Sequence, residues 1–276
     1  MGNTEKIKVS YFPGCTLRTK AVELDRCARN AAEALGIELC EVNNWQCCGG
    51  VYISAKDEIA SKLSSVRALV CARDRGTPLV SVCSACHNVI KQTEHEITVN
   101  REFADRVNGY MSQDTSPSAP YYGGVRVMHY LEMLRDVVGF DKIGAAVKNP
   151  MTGRKIAAYY GCMLLRPGNV MKLDDPENPR IMEDFIRAIG GDPIVYPMRN
   201  ECCGGYTVLE DADAAAKRAS AVTDSAEGHG ADLIVTACPL CKYNLEKNGG
   251  NKIKTVYFTE LLADALGVRE NTDGTR

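Results

Sequence analysis

Two short stretches carry the chemistry of this chain: "WQCCGG" at 45–50 and "NECCGGY" at 200–206, each setting two thiols side by side ahead of two glycines. Adjacent cysteines bridge each other only through a strained ring, so the purpose of the pair lies outside it. The chain has 13 cysteines, and a longer pattern runs through them. In the first half "YFPGC" ends at Cys15, the pair is Cys47–Cys48, and "CSAC" spans Cys83 to Cys86. In the second, "YYGC" ends at Cys162, the pair is Cys202–Cys203, and "CPLC" spans Cys238 to Cys241. From pair to C-x-x-C there are 34 intervening residues in both halves; from lone cysteine to pair there are 31 and 39. Internal duplication accounts for the match.

Five thiols per half are chemically awkward. A tetrahedral zinc site takes four ligands, and so does an ordinary cubane iron–sulfur cluster. Either one thiol per half is spare, or the cluster is unusual, with a bridging sulfur or an iron carrying an extra ligand. The vicinal pair suits the second option, because its two sulfurs can reach neighbouring irons. Structural zinc on the C-x-x-C pairs, and a thioredoxin-like dithiol at "CPLC", are the rival readings.

Bulk properties exclude other classes. The 276 residues are 45% hydrophobic and 25% charged, with a net charge of -2, ordinary for a globular protein of one large or two smaller domains. No basic stripe marks a nucleic-acid partner. "MGNTEKIKVS" has neither a secretory apolar run nor a myristoylation pattern, and no stretch approaches the roughly 20 apolar residues of a membrane span. A soluble, cytoplasmic protein is expected, in a compartment where thiols stay reduced and serve as metal ligands or redox centres.

The elements that must gather these thiols are readable in outline. Lys6 to Phe12 reads as a strand, "LRTKAVELDRCARNAAEALG" as a helix stopped by Gly36, "IELCEV" as the next strand, about 54–75 as a helix, and "PLVSV" as a third strand. "KIAAYY", "PIVYP" and "ADLIVTA" repeat the order of strands in the second half. Each cysteine motif thus sits at or just beyond the C-terminal end of a strand. With helical crossovers the three strands of each half run parallel, and their carboxyl ends share the edge where open α/β sheets bind ligands. The expected fold is α/β, two pseudo-duplicated Rossmann-like halves with parallel sheets. "MSQDTSPSAPYYGG" (111–124) reads as the linker, which divides the chain near Pro120 into domains 1–120 and 121–276.

The duplicated pattern resembles the cysteine-rich CCG domain, and the chain from about Val9 to Leu266 resembles the B-type subunit of heterodisulfide reductase. "YYGCMLLRPGNVMKLDDPENPRIMEDFIRAIGG" (159–191), "CCGG" and "TACPLCKYNLE" carry the likeness. The resemblance implies two noncubane [4Fe-4S] clusters, one held by Cys15, Cys47, Cys48, Cys83 and Cys86, the other by Cys162, Cys202, Cys203, Cys238 and Cys241. It implies a catalytic iron–sulfur subunit that reduces a small-molecule disulfide, of the CoM-S-S-CoB type or analogous, in two one-electron steps. The implied partners are a ferredoxin-like iron–sulfur subunit and a flavin-containing subunit. The alternative is a quinone-interacting or electron-relay CCG subunit of another complex, of the succinate or fumarate reductase type.

Other residues invite lesser readings. Cys27, Cys40 and Cys71 fall outside the repeat and are expected as small core hydrophobes. His87, directly after Cys86, is a candidate donor to a product thiolate, or simply fills a helix turn. Arg166, four residues after Cys162, is a candidate cation for an anionic substrate, or a surface or capping residue. "HYLEMLRDVVG", from His129, is expected as an amphipathic helix packed on the core, and "LEDADAAAKRAS" as a solvated face.

Overall fold

The computed structural model describes residues 6–50, 59–114, 118–250 and 252–269. Among them lie two four-stranded, wholly parallel sheets. The first contains β1 (Ile7–Tyr11), β2 (Ile37–Glu41), β3 (Leu79–Ser81) and β4 (Val127–His129), ordered β2-β1-β3-β4. The second contains β5 (Lys155–Tyr159), β6 (Asp192–Ile194), β7 (Leu233–Thr236) and β8 (Lys254–Tyr257), ordered β6-β5-β7-β8. One topology is therefore used twice, as two Rossmann-like halves.

Parallel strands demand crossovers, and helices supply them. In the first half these are α1 (Val22–Ala34), α2 (Leu63–Arg75), α3 (Ser84–Val99) and α4 (Arg101–Met111). Then come α5 (Tyr130–Met133) and α6 (Phe140–Ala146), followed by α7 (Gly168–Met171), α8 (Ile181–Ala188), α9 (Ala212–Gly228), α10 (Pro239–Asn248) and α11 (Phe258–Leu266). Covered on both faces, the central strands bury nearly every side chain: all of β7, and β5 from Ile156 to Tyr159. Pro193 is tolerated within β6 because that strand lies at the sheet edge, where one row of amides needs no partner. Gly36, at φ +78°, turns the chain after α1 as expected.

Three sequence expectations are revised. Each sheet has a fourth strand. The segment from His129 is helical as expected, α5 running on into a π-helical turn at Leu134–Val138, but His129 itself ends β4, beside β3, and caps α5. Its side chain accepts the Leu131 amide at 3.2 Å, while Glu132 accepts the His129 amide at 3.3 Å. The first sheet thus draws its last strand from beyond Pro120. The α-helix expected over 54–75 starts at Leu63, after a 3-10 turn at Ala60–Lys62; residues 54–58 lie outside the described residues.

The halves share a core. One apolar cluster runs from Val9 in β1 to Leu266 in α11, and cross-half bonds reinforce it. Thr259 donates to the Leu24 carbonyl at 3.0 Å and Asn30 to the Val268 carbonyl at 3.2 Å, joining α1 to α11 and the segment after it, while Tyr130, just after β4, donates to the Ala28 carbonyl at 2.7 Å within the first half. Cys27 is buried in α1, whereas Cys40 and Cys71 are half-buried. No helix among the described residues is long and apolar enough to cross a membrane.

Candidate functional site

In each sheet the strand order reverses between two neighbours, β1 and β3 in the first, β5 and β7 in the second. The crevice beyond such a reversal is where α/β sheets place ligands. Cys15 follows β1 and Cys83 follows β3; Cys162 and Cys238 follow β5 and β7. The vicinal pairs come in beyond the edge strands β2 and β6. The C-x-x-C motifs open helices: Cys83 is the N-cap of α3 with Cys86 in its first turn, and Cys238 is the N-cap of α10 with Cys241 in its first turn. Unpaired amides and the positive end of the helix dipole therefore face the sulfurs, although neighbouring thiols and burial push Cys86 and Cys241 well up.

The ten sulfurs form two chains with the same links. Cys15 lies 3.5 Å from Cys47, and Cys48 lies 3.4 Å from Cys86. Cys47 and Cys48 are neighbours in the sequence, and Cys83 and Cys86 share the start of α3. In the second half Cys162 lies 3.8 Å from Cys202 and Cys203 3.6 Å from Cys241, with Cys202 and Cys203 adjacent in the sequence and Cys238 and Cys241 together at the start of α10. The vicinal pair is the middle of each chain, which answers why it is doubled. Among the described residues no three or more His, Cys, Asp or Glu side chains gather at a single-ion position.

These links shift the thiols strongly. The Cys48 thiol is held down, to about 3, chiefly by hydrogen bonds from Cys47 and Cys86. Cys202 is lowered by bonds from Cys162 and Cys203, and Cys238 by its bond from Cys241. Cys47 and Cys162 are pushed up, each first by the neighbouring thiol whose charge it supports. Backbone amides add to the negative character. Gly204 N–H points to Cys202 Sγ at 3.4 Å and Gly205 N–H to Cys203 Sγ at 3.3 Å.

The backbone around the sulfurs is shaped for close approach. A Cβ on Gly14 (φ +81°) would stand 2.8 Å from Cys86 Sγ, and one on its counterpart Gly161 (φ +63°) would stand 3.2 Å from Cys241 Sγ. Only glycine accepts both the left-handed turn and that proximity. Cysteine-only donors, an amide-lined cradle and glycine-cleared space fit an iron–sulfur group in each half.

A cavity of about 440 Å³ lies between the halves, lined by Cys83 of one chain of sulfurs and Cys238 of the other, with Tyr206, Tyr257, Lys20 and Lys242. Ser84, just after Cys83, donates its amide to the carbonyl of Ala237, just before Cys238, at 3.3 Å. Three carboxylates also reach the cavity: Glu23, Glu246 and Glu260. Each is already paired, Glu23 and Glu260 with Arg269 and Glu246 with Lys242. Lys242 additionally lies 5.4 Å from the Tyr257 ring centroid. Among the described residues Lys20 has no side-chain partner, so it is the uncommitted charge at this cavity.

The two lesser candidates fall elsewhere. His87 is fully buried, neither ring nitrogen has a hydrogen-bond partner among the described residues, and it does not line the cavity. Its ring packs 5.5 Å from that of His129, and burial keeps its pKa low. Arg166 lines a separate surface depression with Cys162 and Met163, bonding the Asn200 carbonyl at 2.9 Å and Glu177 at 3.0 Å. Sequence reasoning missed Lys20, Tyr206, Lys242 and Tyr257. Two of them carried a signal: Tyr206 directly follows the second "CCGG", and Lys242 follows Cys241.

Two segments, 9–91 and 156–246, match the CCG family, described as a cysteine-rich domain. The chain belongs to that family and carries its domain twice. Its relatives include the 8-methylmenaquinol:fumarate reductase membrane anchor subunit of Wolinella succinogenes, 27% identical over 94% of this chain and 92% of that protein. They also include a protein of Archaeoglobus profundus named as like the heterodisulfide reductase B-type subunit, 27% identical over 87% of this chain and 81% of that one. The B-type subunit of the ferredoxin:CoB-CoM heterodisulfide reductase of Methanosarcina mazei is 24% identical over 94% and 89%. By this likeness the chain is similar to B-type subunits of heterodisulfide reductase and to an anchor subunit of a fumarate reductase. A solved structure of a hypothetical protein from Helicobacter pylori aligns with TM-score 0.74 at 12% identity, covering 99% of this chain and 51% of that one. That likeness concerns the fold alone, and this chain spans about half the length of that protein.

Proposed function

We propose that the chain is the catalytic subunit of a redox complex, in which a small-molecule disulfide is reduced between two [4Fe-4S] clusters of the noncubane kind. The ligands would be Cys15, Cys47, Cys48, Cys83 and Cys86 for one, and Cys162, Cys202, Cys203, Cys238 and Cys241 for the other. The observation that carries the reading is the single cavity lined by a cysteine of each set, Cys83 and Cys238. Splitting a disulfide consumes two electrons and two protons and yields two thiols. When bound, the clusters would supply electrons singly, one from each side. The protein's own part is to hold the acceptor across the cavity, with the Tyr206 and Tyr257 rings as walls and Lys20 as the cation for an anionic group. Electrons would arrive from a ferredoxin-like iron–sulfur subunit and a flavin-containing subunit, since the sequence carries no apparent flavin fingerprint.

A second reading has its own support. The cavity holds more carboxylates than cations together with tyrosine rings, which suits a neutral planar acceptor such as a quinone, and one full-length relative is named for a menaquinol reaction. Turnover of the anaerobically assembled complex with a disulfide and with a menaquinone analogue separates the two. Disulfide reduction abolished in both Cys47→Ala and Cys202→Ala supports the first reading; full activity in either variant contradicts it.

A further inference from the structure

The two CCGG loops are chemically alike but end differently. After the second pair of glycines stands Tyr206; the equivalent residue in the first half is Val51, which has no hydroxyl. Tyr206 uses that hydroxyl across the molecule, donating to the carbonyl of Gly50 at 2.8 Å. Gly50 closes the first CCGG motif, so this bond joins the loop carrying Cys202 and Cys203 to the loop carrying Cys47 and Cys48. The same ring forms part of the cavity wall with Cys83 and Cys238. Burial pushes the phenol pKa up, and the nearby thiols that add to the effect come from both sets: Cys238, Cys83, Cys48 and Cys162. The hydroxyl therefore stays protonated and able to donate.

We propose that Tyr206 is a positioning residue that clamps the two vicinal-cysteine loops together and thereby sets the span of acceptor the cavity takes. The inference rests on the two-sided cavity of the proposed function. An acceptor that touches both sets must match their separation, and each CCGG loop carries two of the five thiols of its set. The Ser84 amide already ties the Cys83 side to the Cys238 side through the Ala237 carbonyl, and the Tyr206 bond adds a second tie, between the two CCGG loops. Geometry of this kind governs rate steeply, because reacting groups displaced by an ångström lose much of their advantage.

The test compares wild type with Tyr206→Phe, which keeps the ring and removes the donor, using full-length protein purified anaerobically in its complex. Hydrogen exchange comes first. We expect amides of the peptide containing residues 46–50 to exchange about tenfold faster in the variant, the size of one lost hydrogen bond, with β1 unchanged. Steady-state turnover on the best wild-type acceptor comes second. We expect KM to rise about tenfold at unchanged iron and sulfide content, with kcat altered less. Unchanged exchange refutes the clamp; faster exchange with unchanged KM refutes its role in positioning. A wild-type complex that holds its iron yet reduces neither a disulfide nor a menaquinone analogue sinks the proposed function instead, and the exchange result still decides whether the clamp exists.

Discussion

At the scale of single residues, the middle links of each sulfur chain matter most. Cys48 and Cys203 each join a vicinal neighbour to a helix-borne cysteine, at 3.4 Å and 3.6 Å. Cys48→Ser and Cys203→Ser are each expected to lose about half of the protein's iron and sulfide, with the other half's content kept. Cys27→Ser, in α1 and outside both chains, is expected to leave the count unchanged. The ten sulfurs were readable in the sequence because spacing alone groups them. His87 fills the first turn of α3 and Arg166 shares a surface depression with Cys162, and neither lines the cavity between the halves, because nearness along the chain is not nearness in space. Adjacent residues on a helix point about 100° apart, so Cys86 meets the sulfurs while His87 turns toward His129. Arg166, four residues from Cys162, reaches out to Asn200 and Glu177.

At the scale of elements, the strand-end placement of every motif was readable, because β-branched runs precede each cysteine. The fourth strands were not. Val127–His129 is three residues long, too short for alternation to register, and it runs straight into the helix that begins at Tyr130. That strand carries a pH dependence. His129 is fully buried, accepts the Leu131 amide at Nδ1, and has its pKa lowered to about 3 by burial. The unfolded chain binds a proton near pH 6.5 that the folded one refuses, so this contribution to stability is complete above that value and is lost as pH falls below it. The loss is about 1.4 kcal/mol per pH unit for one such histidine. Thermal melts between pH 7 and 5 are expected to show a falling Tm, and His129→Asn, which retains a capping side chain, is expected to fall less steeply. An equal slope in the variant would contradict this assignment.

At the scale of the whole molecule, two copies of one topology are locked through a common core. The duplication was evident from the matched 34-residue spacing. The interlock was not, because it depends on α1 of one half meeting α11 of the other, far apart in the chain. Tyr130, wholly buried, donates its hydroxyl to the Ala28 carbonyl at 2.7 Å. Tyr130→Phe is expected to cost about 1 kcal/mol, which lowers Tm by about 2–4 °C in a protein of this size. A single melting transition is expected in both forms, since the larger apolar cluster draws its residues from both halves; two separate transitions would contradict the shared core. The central claim is that each half collects its five thiols around a multi-iron group. The most direct measurement is the iron, zinc and acid-labile sulfide content of the anaerobically purified protein. About eight irons and about eight sulfides per chain, four of each for every half, are predicted; stoichiometric zinc without sulfide would contradict the account.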